Sequence, residues 1–126
     1  MKRGEGKKGV GRSRVSTPRL AVVIPALNEQ ENLPALLDAL SAQTLPLECV
    51  VADGGSTDAT AACVSARGLR LVRSARGRAV QMNAGAAATR APYLLFLHAD
   101  SRLDSPQQLE RALHTMEAAR TLRPGH

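Results

Sequence analysis

His98 and Asp100 stand two residues apart at the end of an apolar run, Tyr93-Leu94-Leu95-Phe96-Leu97. An extended backbone projects residues i and i+2 to one side, so an imidazole and a carboxylate could share a metal ion. One nitrogen and one oxygen ligand with open positions suit Mn2+ better than Mg2+, which favours all-oxygen shells. The plainer alternative for His98 is a hydrogen-bonded histidine at a strand end. Asp100 could be a helix cap, although Ser101, Asp104 and Ser105 already supply capping groups nearby.

A second carboxylate cluster, Asp53-Gly54-Gly55-Ser56-Thr57-Asp58, follows another apolar run. An acid in this place can accept from a ribose hydroxyl or a base N–H. The two glycines allow positive φ and close approach of a ligand to the backbone. Alternatively, Asp53 or Ser56 caps the next helix. A third group, Arg76-Gly77-Arg78, offers two guanidinium groups to a diphosphate, or simply surface arginines at a helix start. The usual dinucleotide loop is absent: Pro25-Ala26-Leu27-Asn28 follows the first apolar run where Gly-x-Gly would be needed, and no Gly-x-x-x-x-Gly-Lys-Ser/Thr loop occurs.

These groups need elements to position them. Leu20-Ala-Val-Val-Ile24, Leu47–Ala52, Leu69–Arg73 and Tyr93–Leu97 read as strands, the first ended by Pro25 and the last buried on both faces. Between them lie helical patterns. Asn28 as N-cap with Glu31 as its capping acid opens a helix over about 29–42, with Leu33, Leu36, Leu37 and Leu40 on one face. An Ala-rich helix over about 58–67 stops at Gly68. A helix over 77–89 turns Val80, Met82 and its alanines inward. Ser105-Pro106-Gln107-Gln108 caps a last helix carrying Leu109, Leu113 and Met116. This βαβαβαβα order predicts a doubly wound, mostly parallel α/β sheet of about four strands and four helices. The polar tips at Asn28-Glu29, Asp53–Asp58 and His98–Asp100 then share one sheet edge.

Charge is uneven along the 126 residues. Residues 1–19 carry seven basic side chains against Glu5 alone, a net +6 that equals the whole-chain total, so residues 20–126 balance. With aromatics at 2% and no basic stripe in the folded part, nucleic-acid binding is excluded. The basic leader, residues 1–18, reads as a solvated, disordered segment, and residues 1–19 are compatible with peripheral contact to an anionic membrane. It lacks the apolar core of a secretory signal, and nothing later approaches a spanning helix. Cys49 and Cys63 have no ligand partners at metal spacing and read as buried thiols in a reducing compartment. The expected location is cytoplasmic, including the inner face of the cell membrane.

Taken together, Val22-Val23-Ile24-Pro25-Ala26-Leu27-Asn28-Glu29, Val51-Ala52-Asp53-Gly54-Gly55-Ser56-Thr57-Asp58 and Leu95-Phe96-Leu97-His98-Ala99-Asp100 resemble the three signatures of family-2 glycosyltransferases of GT-A fold. Gly77–Gly85 fits the helix between them. The Asp-Gly-Gly-Ser-Thr-Asp and His-Ala-Asp forms are similar to those of a bacterial subgroup that includes carotenoid-acid (diaponeurosporenoate-type) glycosyltransferases. The resemblance covers about residues 19–116. It implies a domain, residues 19–120, that binds a nucleotide-activated sugar with Mn2+ or Mg2+ bridging the diphosphate. The implied nucleotide-sugar residues are Pro25, Ala26, Asn28, Glu29, Asp53, Gly54, Gly55 and Arg78. Pro25 and Glu29 line the pocket, Asp53 contacts base or ribose, and Arg78 approaches the diphosphate. Asp100 is the implied metal-binding acid of the family's Asp-x-Asp, with His98 as second ligand.

Three departures from the family stand out. Gly54 occupies a position where many relatives carry a second Asp, and His98 replaces the first Asp of Asp-x-Asp. Family members also continue well past the metal motif, into the acceptor site and the general base of inverting members, whereas here one helix and the tail 121–126 follow. A base contributes about 10²–10⁴-fold. The expectation is therefore a donor-binding half of an enzyme, with catalytic residues and acceptor unassigned and a carotenoid or other lipid acceptor implied by the subgroup alone. The competing readings are a non-catalytic module that kept the fold, and a nucleotidyltransferase, which the lack of a Gly-rich, Lys-containing first loop disfavours.

Overall fold

The computed structural model describes residues 18–122. Along them run β1 (Leu20–Ala26), α1 (Leu33–Ser41), β2 (Leu47–Asp53), α2 (Thr60–Ala66), β3 (Arg70–Arg73), α3 (Arg78–Ala87), β4 (Tyr93–Phe96) and α4 (Gln108–Leu122). All strand pairs are parallel, in the order β3-β2-β1-β4. This is the α/β sheet that the alternation of apolar runs and helical patterns predicts.

β1 is central because its sequence is apolar at every position from Leu20 to Ile24, all of them fully buried. Leu20, Val22, Ile24 and Ala26 pack with Leu33, Leu36, Leu37 and Leu40 of α1, Val64 of α2, and Leu109 and Leu113 of α4. Side chains alternate across a strand, so Val23 faces the other side. There α3 lies so close that a Cβ on Gly85 would collide with Val23. Each fully buried aliphatic side chain in this core contributes about 1.5–3 kcal/mol.

Chain order moves from β1 outward to β2 and β3, then returns to the far side of β1 for β4. Strand order thus reverses between β1 and β4, and the crevice at their carboxyl ends is where such sheets receive ligands. Pro25 does not end β1, which runs on to Ala26. Val23 O accepts from Leu97 N on the β4 side, and Ala26 O accepts from Gly54 N on the β2 side. By alternation Pro25 faces β4, whose pairing stops at Val23↔Phe96, so its missing N–H costs no ladder bond.

The structure corrects several expectations. Tyr93–Leu97 is not buried on both faces: β4 is an edge strand of the described sheet, half-buried from Tyr93 to Leu95, with Phe96 39% exposed. Asn28 is not an N-cap. Its φ of 54° is left-handed, a turn follows through Asn32, and α1 begins at Leu33 rather than at 29. Val80 is not inward but 47% exposed; the residues α3 buries are Gln81 and Gly85. Asp53 caps no helix, since α2 starts seven positions on, at Thr60. Gln108 reaches back to the N–H of Asp104 rather than of Ser105, and α4 begins at Gln108 itself.

Cys49 and Cys63 are free and half-buried, and burial pushes the Cys49 thiol up to about 11. Gly68 ends α2 as expected, its N–H bonded to Ser65 O. The leader 1–18, apart from Pro18, and most of the tail 121–126 lie outside the described residues.

Candidate functional site

The loops after β1 and β2 are joined into a single wall. Asn28 N–H donates to Ser56 Oγ (2.8 Å), and Asn28 Oδ1 accepts from the N–H of Thr57 (2.8 Å) and of Asp58 (3.3 Å). Glu29 N–H donates to Thr60 Oγ1 (2.8 Å), Gln30 N–H to Asp58 Oδ2 (3.3 Å), and Ala59 N–H to Gln30 Oε1 (2.9 Å). A left-handed backbone at Asn28 permits this, a conformation that Asn tolerates better than most residues. Asp58 is the second anchor. The Thr60 hydroxyl, then the N–H groups of Thr60 and Gln30, hold its carboxyl below the usual carboxylate range.

Asp53 ends β2 fully buried. Its carboxylate accepts from Ser56 N–H (3.2 Å and 3.3 Å) and Ser56 Oγ, and the exposed Arg73 guanidinium lies 3.6 Å away. The acid therefore closes its own turn. Gly55 carries that turn with φ of 102°, which a side chain would strain.

Across the switch point stand Arg78, His98 and Asp100. Arg78 Nη2 lies 2.6 Å from His98 Nε2 and 3.3 Å from Nδ1. A guanidinium only donates, so the ring nitrogen that bonds it, the nearer Nε2, accepts. Pro25, Met82, Phe96 and Leu97 join Arg78 and His98 around a small cleft of about 30 Å³. Wider hollows of about 460 and 590 Å³ lie elsewhere, between α1, α2 and the start of β2, and along α4. The strand tips thus offer an open face rather than a closed chamber.

The His98–Asp100 pair is not delivered by an extended strand. β4 ends at Phe96, Ser101 N–H bonds His98 O in a turn, and Ala99 is buried between two exposed neighbours. Among the described residues no group of three or more His, Cys, Asp or Glu could hold a metal by itself. The donor set still fits a divalent ion of the phosphate-associated kind, which takes one or two carboxylates and completes its shell with phosphate oxygens and water. Among the described residues Asp100 has no hydrogen-bond or ion-pair partner, whereas His98 has its near nitrogen turned to Arg78.

The structure thus brings Pro25, Ala26, Asn28, Glu29, Asp53, Gly54 and Gly55 together at the tips of β1 and β2, faced by Arg78 and His98. Sequence reasoning missed Gln81. It is 5% exposed, and its Nε2 donates to Ala26 O and Ala52 O (both 3.0 Å) while its Oε1 accepts from Gly77 N–H (3.2 Å). The available signal was a Gln four residues before Gly85 on one helix face. Apolar periodicity passes over both residues.

Residues 21–122 match the profile of the family described as Glycosyl transferase family 2. The 4,4'-diaponeurosporenoate glycosyltransferase of Staphylococcus haemolyticus is 32% identical over 108 residues, which are 79% of this chain and 29% of that protein. A mannosyltransferase from Pyrobaculum calidifontis, solved in complex with GDP-Man and Mn2+, superposes with a TM-score of 0.68 at 28% identity, over 76% of this chain and 31% of that one. The glucosyl-3-phosphoglycerate synthase of Mycobacterium tuberculosis, solved with Mn2+, uridine diphosphate and glucosyl-3-phosphoglycerate, superposes with a TM-score of 0.62 at 25% identity, over 79% and 41%. The chain spans less than half the length of each of these proteins.

Proposed function

The chain belongs to glycosyl transferase family 2, and from that premise we propose that residues 19–120 bind a nucleoside-diphosphate sugar across the carboxyl ends of β1, β2 and β4, with Mn2+ or Mg2+, for glycosyl transfer to an acceptor. The observation that carries the reading is the joined wall of loops 27–30 and 54–60, faced across the strand-order reversal by the guanidinium of Arg78. The solved relatives that hold GDP-Man or uridine diphosphate with Mn2+ support it.

In this reading Pro25, Ala26, Asn28, Glu29, Gly54 and Gly55 line the nucleotide side. Asp53 would meet the base or ribose once the turn it closes with Ser56 opens, since its carboxylate is fully buried as the chain stands. Arg78 forks onto the diphosphate, which competes with His98 for it. Asp100 would hold the ion, and His98 would add a second ligand if Arg78 turned from it to the diphosphate. The ion would neutralise charge developing on the departing diphosphate. Glu110 and Glu117 of α4 engage Thr44 and Arg19, so we assign the general base to neither; it is proposed to come from outside the described residues.

A lipid or carotenoid-like acceptor rests on the name of one curated relative. Membrane contact rests on basic residues that are mostly outside the described ones. Among the described residues no helix is long and apolar enough to cross a membrane.

Calorimetric titration with UDP and GDP, with and without Mn2+, tests the donor site. Affinity should rise with Mn2+ and fall about tenfold or more in Arg78→Ala and in Asp100→Ala, each of which removes a charge-assisted contact. Unchanged affinity in both variants sinks the proposal. A transfer assay with a panel of UDP- and GDP-sugars separates an active enzyme from a binding module: donor binding without turnover assigns the chain to the second class.

A further inference from the structure

Gln81 holds three parts of the proposed donor site with one carboxamide. Its two amide hydrogens go to carbonyls at the strand tips, Ala26 O at the end of β1 and Ala52 O one residue before the end of β2. Its oxygen takes the N–H of Gly77, the residue before Arg78, and its own N–H bonds Gly77 O at 2.8 Å. Three of the four hydrogen bonds that the side chain can make are made inside the protein, at 5% exposure.

Gly54 completes the arrangement. A Cβ at position 54 would stand 2.7 Å from both Cδ and Oε1 of Gln81, a distance real Cβ atoms do not adopt. Position 54 is where the family resemblance places a second acid in many relatives. Here the carboxamide of Gln81 occupies the space such a side chain would need. The glycine and the glutamine are therefore one feature.

We propose that Gln81 is a positioning residue for the donor: it sets the spacing between the β1 tip, the β2 tip and the start of α3, so that Arg78 meets the diphosphate over the nucleotide wall, and Gly54 is glycine to admit it. The inference rests on the donor-binding reading above, and deepens it. An apolar side chain of similar length would fill the same space but would leave Gly77 N–H without its partner and take the second donor from both carbonyls; Ala26 O would keep Gly54 N–H, and Ala52 O would keep the Ala26 N–H that the parallel register gives it. The tips could then shift relative to α3, and Arg78 with it. Small misplacements of binding groups are costly because the groups must act together.

The test compares Gln81→Leu and Gln81→Met with a core change away from the tips, Leu113→Ala, in the full chain. Kd for UDP and GDP with Mn2+ and the melting temperature are measured on the same samples. Both Gln81 variants should weaken nucleotide binding about tenfold or more, while Leu113→Ala lowers the melting temperature at unchanged Kd. Equal Kd for wild type and folded Gln81 variants overturns the positioning role alone. No nucleotide binding by the wild type takes down the donor reading and the inference together. A ligand-free arm covers poor folding of the single variants: Gly54→Ala should melt lower than wild type, and Gly54→Ala combined with Gln81→Ala should recover part of that loss. Strictly additive losses overturn the pairing.

Discussion

Asp58 concentrates the electrostatics of the loop wall. The Thr60 hydroxyl and the N–H groups of Thr60 and Gln30 favour its ionised form, so its carboxyl lies below the ordinary value of 3.8. A carboxyl depressed on folding stabilises the folded state above its unfolded value, and that contribution is lost as pH falls through the folded one. Wild type should therefore melt above Asp58→Asn at pH 7, and the gap should close on acidification below about pH 4. A gap that stays constant with pH would mean that the carboxylate charge is not what binds the loop. Asn28 belongs to the same wall. Its presence beside Glu29 was legible in the sequence, but its part in the backbone, read as a helix N-cap, was not. A local capping pattern, Asn with an acid three residues on, lost to a set of hydrogen bonds reaching about thirty positions away, to Thr57 and Asp58.

At the scale of elements, α3 decides how the site is held. It approaches the sheet through Gly85, where a Cβ would collide with Val23. In a free helix, glycine is worse than alanine by about 0.5–1 kcal/mol, so replacing it should stabilise. Packed as it is, Gly85→Ala should instead destabilise, by about 1–3 kcal/mol of overpacking. Urea denaturation reads the sign directly, and a stabilised variant would refute the close approach. The helix itself was legible from its pattern, within two residues at each end. Its buried face was not, because Val80 and the alanines look apolar while the residues that go inside are a glutamine and a glycine. β4 shows the same limit. Its apolar run marks a strand, but whether a strand is central or at an edge depends on its neighbours.

For the whole molecule, the order β3-β2-β1-β4 places the strand-order reversal beside Pro25 and His98. A site with one committed carboxylate at that reversal should not hold a metal strongly by itself. Mn2+ alone is expected to leave the melting temperature unchanged, whereas UDP or GDP with Mn2+ should raise it, stabilising by about 2.7 kcal/mol when the ligand is at a hundred times its Kd. A clear shift with Mn2+ alone would contradict an ion that arrives with the diphosphate.

The alternation of strands and helices, the carboxyl-end placement of the polar motifs and the family could all be read from the chain. Apolar runs, periodicities and the Asp-Gly-Gly-Ser-Thr-Asp and His-Ala-Asp motifs are contiguous, and contiguous patterns constrain the backbone locally. The rest belongs to the tertiary structure: the bond from Arg78 to His98, the stitching of loop 27–30 to loop 54–60, the clasp of Gln81 beneath Gly54, and the half-burial of β4. The hydrogen-bonded features join groups twenty to fifty-five positions apart, and the half-burial of β4 depends on β1, seventy-three positions away in register. A hydrogen bond at that separation has no local signature, because its partners become neighbours only when the sheet order is set.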